Sequence, residues 1–281
     1  MNICENLEEA SEKVVQYFIS VHKHLSNHFY IIPGGSTPVL FYQKLAHYVD
    51  DWSDTTFILS DERMVDENNK LSNSYHIKEN LLKCIKDNEL PNFLSFSNLI
   101  DSDQIGITSS INDEKLIKLG SPEIAVLGLG TDGHTASLFP GNQDLYGNDD
   151  KACIIVKNNY ENYYRISLTF NYLLRSKKIV FLISGETKSK VLKRCIRGPY
   201  EPAKIPALPV LLYFEPFLNE DGINSLIFLQ SINLPKNSFI LLMFIFEHYI
   251  NFRSQIFIQN FSIIIKNIVL KIKIVIGENC L

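Results

Sequence analysis

The chain has 281 residues with a formal net charge of −4 and a pI near 6.0, long enough to bury a substantial core in one α/β domain with or without an appendage. No basic patch or basic tail is visible, which excludes nucleic acid and acidic membrane as principal partners and leaves a small anion held by a local Lys/Arg cluster. Five scattered cysteines (Cys4, Cys84, Cys153, Cys195, Cys280) without a CxxC exclude a disulfide framework and a thiolate metal site and fit a reducing cytosol. Met1 to Glu9 is acidic and lacks the basic start and apolar run of a signal peptide, so no export is expected.

In chain order, Val14, Val15, Phe18, Ile19 and Leu25 space an amphipathic helix over Leu7–Leu25. Phe29–Ile32 then predicts a strand that ends in the glycine loop Pro33–Pro38, and Val39–Tyr48 returns to helical spacing. Ser36 or Thr37 suits the N-cap of that helix and Pro38 its first position. Backbone amides and the helix dipole there favour an anion such as phosphate.

Thr55–Ser60 predicts the next strand, and Asp61-Glu62-Arg63 follows it directly. Three charges at a strand end serve a site better than a core, although a solvated turn with a local ion pair explains them equally well in isolation. A helix opens at Ser72-Asn73 and runs through Ile85, and a short strand and a helix ending at Gly120 fill the stretch from Asn92.

Pro122–Leu127 is too short for a helix and suits a buried parallel strand. It empties into Gly128-Leu129-Gly130-Thr131-Asp132-Gly133-His134, which sets an acid and an imidazole at the strand's carboxyl end, and Thr135–Phe139 reads as one or two helical turns closed by Pro140-Gly141. Lys151–Val156 and Tyr164–Thr169 predict two strands, Asn171–Ser176 a short helical turn, and Ile179–Ser184 a central strand ending in Gly185-Glu186-Thr187-Lys188 before another helix. Strand and helix alternate with each polar cluster at a strand's carboxyl end, the pattern of a doubly wound parallel sheet.

The pattern decays after Pro209. Residues 1–222 are expected to form the catalytic domain, and 223–281 an Ile/Phe/Asn/Lys-rich tail with no assigned function, resembling translated AT-rich sequence as after a frameshift or read-through. Its apolar run Phe239–Phe246 is shorter than the roughly 20 residues of a spanning helix, and its Ile268–Ile276 alternation suits an aggregation-prone strand.

Gly34–Pro38 (GGSTP), Asp61–Arg63 (DER) with Ser72-Asn73, Gly128–Gly141 (GLGTDGHTASLFPG), Arg165–Thr169 (RISLT) and Ser184–Lys188 (SGETK) together resemble the 6-phosphogluconolactonases, over roughly residues 5 to 210. That family is grouped with the glucosamine-6-phosphate isomerases/deaminases. The resemblance implies a Rossmann-like three-layer α/β sandwich with a mainly parallel central sheet, of the NagB/RpiA/CoA transferase-like type. It implies hydrolysis of 6-phospho-D-glucono-1,5-lactone without metal or other cofactor, on a small sugar phosphate in the cytoplasm, by a monomer or weak homo-oligomer.

Carried over by motif, His134 would be the general base that activates water and Asp132 would orient it. Arg63 would stabilise the oxyanion, with Asp61 orienting it or a sugar hydroxyl. Lys188 and Lys177 would hold the phosphate with Gly35, Ser36 and Thr37, and Gly133 would line the site. The deaminases resemble DGHIAFNEP, with a Glu before the proline that takes part in ring opening; Phe139 stands there in this chain and cannot shuttle protons. That favours the lactonase over a deaminase or a non-catalytic sugar-phosphate-binding protein. Two departures stand out: Ile32-Pro33 precedes GGSTP where the family more often has a small residue, and the tail does not look like the family's closing strand and helix.

Overall fold

Strands β2 (His28–Ile32) and β6 (Ile124–Leu127) lie at the centre of the fold, and Phe29 to Ile32 and Ile124 to Leu127 are all buried. Continuous burial is what a parallel strand covered on both faces requires, and each such aliphatic side chain contributes about 1.5–3 kcal/mol relative to exposure. The computed structural model describes residues 2–23, 28–49, 51–96, 114–142, 145, 151–157, 161–197, 199, 201–211 and 225–230.

The main sheet has seven strands in the order β1 (Asn2–Cys4), β10 (Ser225–Gln230), β9 (Lys178–Ile183), β6, β2, β3 (Thr55–Leu59) and β5 (Asn92–Leu94), and every pair in it is parallel. The chain leaves β2 towards β3 and β5, then returns to the other side of β2 for β6, β9 and β10. The strand order therefore reverses between β2 and β6, and in open α/β sheets that crevice at the carboxyl ends is where ligands bind.

Helix α1 (Leu7–His22) is capped by the Asn6 side chain, which accepts from the Glu9 amide, and buries Val14, Val15, Phe18 and Ile19. Phe18 packs on Tyr30 with ring centroids 4.4 Å apart and also touches Trp52 and Phe57. Helices α2 (Val39–Leu45) and α3 (Asn73–Asn80) flank the same sheet further along the chain. A second sheet of three antiparallel strands, β4 (Asp61–Arg63), β8 (Tyr164–Leu168) and β7 (Cys153–Lys157), adjoins the carboxyl ends. Ser60 joins the two sheets, its amide donating to Ile32 and its carbonyl accepting from Leu168, each at 2.9 Å.

Three sequence expectations change. Asp61-Glu62-Arg63 is a strand of the small sheet. Thr135–Phe139 is a tight turn with Ala136 at φ 50°, closed by the Leu138 amide on the Thr135 carbonyl at 3.0 Å. A helix fails there because side chains claim the turn from outside: the Thr135 hydroxyl donates to Gly128, and Ser137 is held by Asp61 and Ser167. The expected domain boundary at 222/223 does not mark the edge of the sheet, since Ser225–Gln230 is a strand between β9 and β1. The stretches Phe239–Phe246 and Ile268–Ile276 lie outside the described residues.

Candidate active site

Four loops converge on the crevice, one after each of the neighbouring strands β9, β6, β2 and β3. Strands spaced about 4.8 Å apart bring the ends of β9 and β2 to within roughly 10 Å of each other, with β6 between them.

The loop after β6 brings Asp132 and His134 together. The Gly133 amide bonds the Gly130 carbonyl at 3.1 Å and the Gly130 amide bonds the His134 carbonyl at 2.8 Å, so the chain doubles back. Glycine is required at both corners: a Cβ on Gly130 would stand 2.2 Å from Nδ1 of His134, and Gly133 has φ 98° with a Cβ position 2.9 Å from Ile205. The turn aims the Asp132 carboxylate at Nδ1 of His134, 2.6 Å away, while the same oxygen accepts from the His134 amide at 3.1 Å. Burial opposes ionisation of Asp132, but the hydrogen bonds and charge of His134 outweigh it and hold the carboxyl below its usual range. An ionised Asp132 fixes the proton on Nδ1 and leaves Nε2 as the acceptor. The imidazole is partly exposed, with 30% of its side-chain surface open, so solvent reaches it.

Lys188 arrives from the turn after β9, where Gly185 at φ 99° opens a short 3₁₀ helix, Glu186–Lys188. Its ammonium donates to the Leu129 carbonyl of the His134 loop. Burial pulls its pKa below the ordinary lysine value, with the negative charge of Asp132 opposing the shift. An anion beside this amine would favour its charged form.

The DER strand supplies two different devices. Glu62 is buried and accepts from the amides of Arg63, Asn73 and Ser74 and the hydroxyls of Ser72 and Ser74, at 2.6–3.1 Å, which pins the start of α3. Asn73 thereby donates to the Asp61 carbonyl at 2.8 Å and accepts from Nη1 of Arg63 at 3.4 Å. Its side chain also fills the space a Cβ on Gly34 would need, 1.9 Å away, so only glycine lets the GGSTP loop seat against it. Arg63 donates to the Leu71 carbonyl at 2.7 Å, and its buried Nε has no hydrogen-bond partner among the described residues.

Arg165, in the RISLT motif but given no role by the sequence, stands directly across from Arg63 in the β4–β8 pair. It is buried and ion-paired with Asp61 at 3.6 Å and with Glu161 at 2.5 Å, and its guanidinium lies 5.3 Å from the centre of the Phe139 ring. The signal available in the sequence was a cation inside an otherwise apolar strand, which is buried only when paired. Phe139 also touches His134, with ring centroids 4.7 Å apart.

Several expectations are corrected. The Asp61 carboxylate accepts from Ser60 and Ser137 and pairs with Arg165, so it orients Arg165 and not Arg63. Lys177 lies at the opposite end of the sheet: its amide bonds Pro122 and its ammonium sits 2.6 Å from Glu123. Five residues of extended chain, roughly 16 Å, separate Glu123 from Gly128, so Lys177 is out of reach of the crevice. The cap of α2 is Pro38, without a side-chain hydrogen bond, which frees the hydroxyls of exposed Ser36 and half-buried Thr37 from that duty. Gly35 at φ 85° has nothing within 4 Å of its Cβ position, so the loop is open on that side.

A profile of the family described as glucosamine-6-phosphate isomerases/6-phosphogluconolactonase matches residues 4–212. A curated relative from Helicobacter pylori (strain J99), named 6-phosphogluconolactonase, is 30% identical over 210 residues, covering 70% of this chain and 87% of its own. The crystal structure of a 6-phosphogluconolactonase from Shewanella baltica superposes with a TM-score of 0.72 at 22% identity, over 82% of this chain and 97% of that one. A monomeric glucosamine-6-phosphate deaminase superposes with a TM-score of 0.66 at 17% identity, over 82% and 96%. Both superpositions show the fold, and the fold does not separate hydrolase from deaminase.

Proposed function

Because the chain belongs to the glucosamine-6-phosphate isomerase/6-phosphogluconolactonase family, we propose that it hydrolyses 6-phospho-D-glucono-1,5-lactone to 6-phospho-D-gluconate, the second step of the oxidative pentose phosphate pathway. The observation that carries the reading is the Asp132–His134 pair at the crevice, with the Lys188 ammonium donating into the same loop. A general base and an ammonium gathered on one loop suit a substrate with a lactone at one end of a sugar and a phosphate at the other.

In this reading Nε2 of His134 takes a proton from water as the water oxygen bonds to the lactone carbonyl carbon. Arg63, held by the Leu71 carbonyl and Asn73, is the cation assigned to the oxyanion that forms. Collapse breaks the bond to the ring oxygen, which takes the proton back from the imidazolium, and the new carboxylic acid releases its own proton to solvent. General-base assistance of this kind is worth about 10²–10⁴ in rate. Asp132 keeps the imidazole in the correct tautomer and stabilises its cation. Lys188 binds the phosphate with the Gly35–Thr37 loop, and Arg165, set by Asp61, adds positive potential. Lys177 has no part in it. The setting is cytoplasmic and the partner a free sugar phosphate; the cysteines Cys4, Cys84 and Cys195, which form no disulfide among the described residues, fit that compartment.

The deaminase reaction is disfavoured at one position. Phe139 presents a hydrocarbon ring beside His134 where ring opening of an amino sugar needs an acid. The test is direct: freshly prepared 6-phosphogluconolactone should disappear well above its spontaneous rate, while glucosamine 6-phosphate should release no ammonia. The reverse pattern would assign the deaminase, and binding of 6-phosphogluconate without turnover of either substrate would assign a sensor.

A further inference from the structure

Phe139 carries more than its hydrocarbon character. Its ring is only partly buried at the margin of the core, and it touches both the imidazole of His134, at 4.7 Å and 51° between planes, and the guanidinium of Arg165, at 5.3 Å. An aromatic face has negative potential and attracts cations. Arg165 is a permanent cation, and His134 becomes one each time it accepts a proton.

We propose that Phe139 is a positioning residue that offers its ring to the imidazolium formed at His134 and keeps the Arg165 guanidinium with Asp61 and Glu161 instead of against that imidazolium. The inference rests on the reading of His134 as the base. The charged groups around the His134 loop are Asp132, paired with the imidazole, Lys188, whose ammonium bonds the Leu129 carbonyl of the same loop, and Arg165 beside the Phe139 ring, itself paired with Asp61 and Glu161. A neighbouring cation disfavours an imidazolium in general, whereas a carboxylate or an aromatic face favours it. Leucine in place of Phe139 keeps an apolar side chain and removes the ring. Both consequences, loss of the aromatic contact and a freer Arg165, disfavour the protonated imidazole.

The experiment is an NMR titration of the His134 ring protons in the wild-type chain, Phe139→Leu and Phe139→Tyr, with thermal melts to confirm folding. Phe139→Leu should move the His134 midpoint to lower pH by about half a unit, the size of a partly exposed cation–π contact, and shift the acid limb of kcat/KM with it. Phe139→Tyr should leave the midpoint in place. If Phe139→Leu does not fold, Phe139→Met takes its place with the same expectation. An unmoved midpoint in the folded leucine or methionine variant, whatever its kcat, would mean that Phe139 only packs and would overturn the proposal, as would an equal shift in Phe139→Tyr. The titration needs no turnover, so the two readings fail separately. A moved midpoint with full lactonase activity in His134→Ala removes the base, while an unmoved midpoint with an inactive His134→Ala removes only the role of Phe139.

Discussion

At Gly130 the site depends on an atom that is not there. A methyl group would stand 2.2 Å from Nδ1 of His134 and 2.7 Å from Oδ1 of Asp132, so Gly130→Ala should lower kcat by at least tenfold while moving the melting temperature little, as steady-state kinetics and a thermal melt will show. Lys188 makes a second prediction. In the proposed reading the protonated amine binds phosphate, and burial has set its pKa below the ordinary lysine value. KM should therefore rise with pH where an ordinary lysine is still charged, and Lys188→Met should remove this alkaline limb while raising KM about 10–100-fold, the worth of a charge-assisted hydrogen bond. The placement of Asp132, His134 and Lys188 around one loop was legible because short apolar runs ending in glycine mark the carboxyl ends of parallel strands. Lys177 was misread although the same rule applies to it, since a residue that precedes a parallel strand lies at the sheet's other end. Arg165 could not be assigned from spacing, because its meaning comes from Asp61, distant in the chain and adjacent only across the β4–β8 pair.

Two elements join the site to the stability of the fold. The buried Glu62 carboxylate gathers four donors at the start of α3 and the Arg63 amide, and a side-chain amide cannot accept at both positions. Glu62→Gln should lose about 2–4 kcal/mol in urea unfolding and also raise KM, because Asn73 and through it Arg63 lose their seat. At the other end of β2, His22 at the end of α1 stacks on His28 with ring centroids 4.1 Å apart and bonds the Tyr30 hydroxyl. Burial and the neighbouring His28 bring its pKa down from 6.5 to about 4. The unfolded chain binds this proton below pH 6.5 and the folded one only near 4, so stability should fall as pH drops through that window, by at most about 3 kcal/mol, and His22→Gln should flatten that part of the pH–stability curve. Existence and type of the main elements could be read from periodicity. The turn at Thr135–Phe139 could not, since its apolar spacing fits a helix and only the outside partners Asp61 and Ser167 decide against one.

For the whole molecule, the reversal of strand order between β2 and β6 explains why motifs scattered from Gly34 to Lys188 face one crevice. The tail shows where composition stops being informative: in a segment rich in Ile, Leu and Phe no period separates strand from helix, yet Ser225–Gln230 pairs with both β9 and β1. A chain ending at Gly222 should accordingly melt at lower temperature than one ending at Leu234, with β1 deprived of its neighbour. The central claim, that this crevice opens a sugar-phosphate lactone with His134 as base, is tested most directly by following loss of 6-phosphogluconolactone at pH 7 with the wild-type chain and folded His134→Ala. The account predicts wild-type turnover far above the spontaneous rate and a loss of at least about 10²-fold in kcat/KM for the variant; wild-type activity in His134→Ala would contradict it.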